Sequence, residues 1–233
     1  MAIIFQDQFE RAGDIFSPPW TGTFCPPWAG TLTEPLLNPH HGLRSCRSMF
    51  QAGGAQAYCY YDWAGVADAW ARAYLMMDTF PVNVNEFFNF HFLWARVSNV
   101  FACVQVRRTA GGVFYGMRYQ NAAGTMVDLV SAASPVLNRY DCLEIRLRIG
   151  GVGVGLAELY LNEVLILSTV GVDFGAANVD EALAGLTWNE APQPAMVSAF
   201  TDCFVLGDAQ VYCEPLFGGG SKINEAAKII LDA

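Results

Sequence analysis

Lysine is almost missing from this chain. Only two of its 13 basic residues are lysines, Lys222 and Lys228, and both lie near the C-terminus. Charged residues make up 15% of the sequence, and the net charge is −9. Binding to a phosphate backbone needs clustered cations, so a nucleic-acid partner is excluded. No run of about 18 apolar residues exists, so nothing reads as a membrane-spanning helix. The start, MAIIFQDQFERAGD, lacks the basic region, apolar stretch and small-residue cleavage site of a secretory signal. The expectation is a protein made in the cytoplasm.

The seven cysteines follow no metal spacing. Cys103, Cys142 and Cys203 fall inside strand-like segments, and reduced thiols buried in a core are expected. His40-His41 with Cys46 and Cys59 match neither the C-x2-C nor the H-x3-5-H pairing of a zinc site. No cofactor is expected from these residues. Hydrophobic residues, in contrast, make up 53% of the chain, which is ample for one large core. A surface so poor in charge suggests that much of it is covered by partner subunits.

The strongest pattern runs from Arg139 to Gly171. Leu143, Ile145, Leu147 and Ile149 alternate with Glu144, Arg146 and Arg148, the period-2 pattern of a half-buried strand. A glycine-rich reversal follows, Gly150 to Gly155, then strands around Ala157–Leu161 and Val164–Ser168 joined at Asn162-Glu163. Three such strands need a second sheet to cover their apolar face. Phe88, Phe90, Phe92 and Trp94 alternate with Asn89, His91, Leu93 and Ala95, placing four aromatics on one face. Core packing is the expectation for that face, with a sugar-stacking platform as the other use. Turn signals recur every ~8–12 residues, which favours a β-sandwich.

The fold expected is therefore all-β, a two-sheet antiparallel jelly-roll sandwich over residues 1–216. Residues 217–233 form a tether, Gly218-Gly219-Gly220, and a short C-terminal helix capped by Ser221. Ile223, Ala226, Ala227 and Ile230 share one face of that helix, a candidate interface expected to dock either back on its own sandwich or on a neighbouring subunit.

Tyr140-Asp141-Cys142-Leu143-Glu144-Ile145-Arg146-Leu147, followed after the glycine break by Ala157-Glu158-Leu159-Tyr160-Leu161-Asn162, resembles the concanavalin A-like (laminin-G-like) jelly-roll superfamily. Phe5-Gln6-Asp7-Gln8-Phe9-Glu10 is similar to that family's opening strand, and Thr201–Leu206 to its closing one. The resemblance implies a jelly roll whose first and last strands pair. It departs at Asn162-Glu163, where the family carries Asp-Gly; glutamate there implies another turn type or local strain.

Glucanases of that superfamily carry Glu-x-Asp-x-x-Glu on one strand, and none of the ten glutamates here is followed two places later by aspartate. No Gly-x-Ser-x-Gly elbow exists for an esterase. Asp173 with Asp180-Glu181 offers at most a calcium corner of the kind some laminin-G-like domains use. With catalytic carboxylates absent, the function expected is non-enzymatic: a virion decoration, capsid or tail component, homo-oligomeric within a larger particle. The alternative is a carbohydrate-binding module, with Trp20, Trp28, Trp63 and Trp70 as candidate glycan contacts.

Overall fold

The alternation at 143–149 folds as a strand with Leu143, Ile145 and Leu147 fully buried, in the middle of an eight-stranded antiparallel sheet. The structure is a computed structural model, and it describes residues 2–7, 9, 20–24, 30–33, 45–50, 56–188 and 197–210. Fifteen strands are formed among them. In chain order these are β1 (Ile3–Asp7), β2 (Gly22–Phe24), β3 (Gly30–Thr33), β4 (Cys46–Phe50) and β5 (Ala57–Val66). Next come β6 (Asp68–Met77), β7 (Phe87–Ala95), β8 (Val100–Thr109), β9 (Gly112–Gln120) and β10 (Met126–Val130). The last are β11 (Asp141–Arg148), β12 (Gly155–Leu161), β13 (Val164–Val172), β14 (Val179–Trp188) and β15 (Val197–Gly207).

One sheet runs β13-β12-β11-β6-β15-β4-β3, with β1 added to β15; the other runs β10-β9-β8-β7-β14-β5-β2. The two sheets face each other across one core, which Phe88, Phe90 and Met117 fill from the seven-stranded side and Leu143, Ile145 and Phe204 from the other. The chain is thus an all-β two-sheet sandwich. First and last strands pair: Phe5 lies opposite Leu206, and Asp208 N–H donates to the carbonyl of Ala2. The tether, the tail helix with Ile223, Ala226, Ala227 and Ile230, the His40-His41 segment and Trp28 lie outside the described residues. Among the described residues no helix is long and apolar enough to cross a membrane.

The β12–β13 turn answers the question raised by its glutamate. Asn162 and Glu163 both take left-handed backbone, φ 49° and 70°, as a type I′ turn requires. Glutamate therefore sits in a conformation that costs roughly 1–2 kcal/mol without glycine. Asn162 offsets part of this by accepting the Cys142 N–H at 3.0 Å.

Two expectations are corrected. Cys46, Cys59, Cys103 and Cys203 are buried and reduced, but Cys142 is disulfide-bonded, so the cysteines are not all reduced. The four alternating aromatics do not share a face either. His91 takes φ 45° and the β7–β8 register shifts between Phe90 and Phe92, a β-bulge. A bulge reverses the alternation beyond it. Phe88 and Phe90 point into the core, and so do Leu93 and Ala95, whereas Phe92 clusters with Phe101 on the outer face beside Trp94.

His91 itself is 1% exposed, its ring 6.3 Å from those of Phe90 and Phe204. Neither ring nitrogen has a hydrogen-bond partner among the described residues. Burial depresses its pKa from 6.5 to about 3. The unfolded chain then binds a proton that the folded chain refuses, so this group's contribution to stability is complete above about pH 6.5 and is lost as pH falls towards 3. At up to about 1.4 kcal/mol per pH unit, His91→Asn, which tolerates left-handed backbone and does not titrate, should be less acid-sensitive than the wild type. Urea denaturation of both proteins at pH 7 and pH 5 should differ by about 2 kcal/mol in the change between the two conditions; equal changes would show that His91 is not buried neutral.

Candidate functional site

On the seven-stranded sheet the outward side chains fall into rows that run across the strands. One row is Asp62 on β5, Glu181 on β14, Trp94 on β7, Phe101 on β8 and Gln120 on β9, placed by the strand registers. The next is Tyr60, Leu183, Phe92, Cys103 and Arg118. Because the His91 bulge turns Phe92 and Trp94 outward, these rows carry rings at their centre.

A cavity of about 330 Å³ lies over them. Its apolar floor is Tyr58, Phe92, Trp94, Phe101, Met126 and Leu183. Phe92 and Phe101 meet with centroids 4.9 Å apart and planes tilted 37°. The rim is polar but uncharged: Gln56, Asn99, Gln120 and Thr187. Gln120 donates to the Asn99 carbonyl at 2.7 Å and Thr187 to the Asn89 carbonyl at 3.0 Å, which fixes both side chains. Flat rings beneath a few oriented amides and hydroxyls suit a ligand with apolar faces and hydroxyl edges.

Charged groups stand on both flanks and are paired with one another. On one flank Arg96, in the 3-10 turn after β7, reaches Asp62 at 3.1 Å, Glu181 at 3.2 Å and Asp180 at 3.6 Å. Three carboxylates thus share one guanidinium. Burial raises the Glu181 carboxyl and Arg96 pulls it down, but the neighbouring Asp62 and Asp180 push it up again, to about 7. On the other flank Arg118 grips Asp128 through Nε at 2.6 Å and Nη2 at 2.9 Å, and Arg107 joins at 2.7 Å. The Arg118 guanidinium also lies 4.1 Å above the Phe87 ring. Burial would raise Asp128, but the hydrogen bonds from Arg118 and Arg107 outweigh it and hold the carboxyl below its ordinary range.

The tryptophans singled out in the sequence lie elsewhere. Trp20 is buried in the core against Phe5 and donates its indole N–H to Asp7. Trp63 stacks on Tyr61 at the inner edge of β5. Trp70 sits on the outer face of the opposite sheet, under Arg146 at 4.5 Å. Of the proposed calcium ligands, Asp180 and Glu181 turn to Arg96, while Asp173 accepts the Gly175 N–H of its own turn. Among the described residues no group of three His, Cys, Asp or Glu side chains is placed to hold a metal.

No protein-family model matches the chain, and no curated protein matches it. Solved structures do. The chain is similar to an endo-β-1,4-glucuronan lyase from the fungus Trichoderma reesei at 10% identity and a TM-score of 0.68, covering 89% of this chain and 96% of that one. It is similar to a cellulose-induced protein, Cip1, at 16% identity and 0.62, over 90% and 99% of the two chains. It is similar to the alginate lyase Aly36B at 12% and 0.56, over 72% and 82%. Likenesses at this identity establish the shared sandwich fold. They also correct two expectations, the virion structural role and the absence of enzymatic activity. Two of these three neighbours are named as polysaccharide lyases, so this sandwich is one on which enzymes are built.

The carboxyl titration can be read directly. Carbon-detected NMR of Glu181 should show a midpoint near pH 7. Asp62→Asn should lower that midpoint towards 4.5, and Arg96→Ala should raise it. Since the raised pKa favours proton uptake by the folded state, stability from this group is present at low pH and falls as pH rises towards 7, opposite in sign to His91. A wild-type midpoint near 4.5 would show that Glu181 is solvated.

Proposed function

We propose that this protein binds a polysaccharide across the outer face of its seven-stranded sheet, on a sandwich of the concanavalin A-like type. The observation that carries the reading is the cavity floored by Tyr58, Phe92, Trp94 and Phe101 and rimmed by amide and hydroxyl groups. Pyranose rings present apolar C–H faces that stack on aromatic side chains, and equatorial hydroxyls that pair with amides. The family assignment draws support from the β11–β12 motif and from the pairing of β1 with β15.

A second reading, breakage of the bound chain, is favoured by Glu181. It is the cross-strand neighbour of Trp94, and its carboxyl holds a proton near neutral pH, as a general acid at a glycosidic oxygen must. Asp62 is the adjacent carboxylate that sustains that proton.

Titration calorimetry against soluble polysaccharides tests the first reading. Trp94→Ala and Phe92→Ala should each weaken binding about tenfold or more, in keeping with loss of a buried ring contact, while Trp70→Phe on the opposite sheet should leave it unchanged. Equal affinity in all three would remove the outer face as the site. For the second reading, new reducing ends should accumulate with the wild type and not with Glu181→Gln.

A further inference from the structure

The charged groups that flank this cavity among the described residues are committed to one another before a ligand arrives. Among the described residues the cavity lining contains no ionisable acid or base except Tyr58, whose hydroxyl is pushed up to about 12 by burial and by Glu181. Arg118 is 4% exposed and spent on Asp128 and the Phe87 ring. Arg96 is outnumbered by Asp62, Asp180 and Glu181. A carboxylate moved into this space would lose its water without gaining a cation, and would lie in the row beside Glu181. A hydroxyl meets no such penalty. It can accept from an amide N–H and donate to an amide oxygen at the rim.

We infer that the saccharide taken by this face is a neutral one and that uronate chains are rejected. This distinguishes the chain from the structural neighbours named for glucuronan and alginate, and it rests on the outer face being the saccharide site. Discrimination comes from repulsion by the Asp62–Glu181 pair and from the lack of an uncommitted cation among the described lining residues, two effects that act only on a charged ligand.

The test uses the full chain at pH 8, where Glu181 is ionised, and low salt. Neutral hexasaccharides of β-glucan, mannan and xylan are compared with alginate and glucuronan hexasaccharides. Affinity is followed by calorimetry, and the position of binding by the assigned Trp94 indole N–H resonance, which needs no substitution. The expected result is that a neutral oligosaccharide shifts the Trp94 resonance and binds at least tenfold more tightly than either uronate. A uronate that shifts the same resonance with equal or greater affinity overturns the inference and leaves the site in place. If no oligosaccharide shifts it, the outer-face site itself fails, and the inference fails with it.

Discussion

At His91 the backbone of β7 turns left-handed in mid-strand, and the use of every ring beyond that point follows from it. With unbroken alternation Phe92 and Trp94 would enter the core, while Leu93 and Ala95 would face outward. The cavity would then lose Phe92 and Trp94 from its floor. The partner strand is irregular at the same level: Phe92 lies opposite Leu183 and Phe90 opposite Leu186, so β14 places two residues where β7 places one. Gly185 is one of those two. Its φ is 112°, and an added Cβ would meet the Ala57 carbonyl at 2.7 Å and the Ser48 hydroxyl at 2.5 Å. Two neighbouring strands thus depart from regular pairing together. Left-handed histidine is held there at a cost of roughly 1–2 kcal/mol.

The regions readable from the sequence are those in which period 2 runs uninterrupted. β11, β12 and β13 appear where their alternation places them, with the Asn162-Glu163 reversal between the last two. Counting by twos places all four aromatics of β7 on one face because it assumes that no residue is inserted. A signal was present nonetheless. On the supposed polar face, Asn89 and His91 give way to Leu93 and Ala95, and that change from polar to apolar at one position is what a bulge produces. Nothing comparable marks the Cys142 bridge, since a disulfide pairs residues that spacing does not relate.

The acidic group beside Trp94 leaves no mark in the sequence for a related reason. Glu-x-Asp-x-x-Glu finds acids that share one strand. Here Asp62 comes from β5 and Glu181 from β14, brought side by side by antiparallel register, with Asp180 and Arg96 closing the group. Cross-strand proximity requires knowing which strands are neighbours. Strand order across a sandwich is decided by the whole core, not by any local pattern.

Tryptophan number is a poor guide to a saccharide site for the same physical cause. An indole is large enough to be worth burying wherever a sheet has space, and its N–H needs one partner. Trp20 finds that partner in Asp7, which also accepts the Phe9 N–H at 2.8 Å and so secures the end of β1. Trp70 is covered by Arg146, itself held by Asp68 and Glu158. Trp94 differs from both: it is half-buried and borders a cavity on the outer face. What qualifies a ring for recognition is the face it occupies, and in β7 the inserted His91 determines that face.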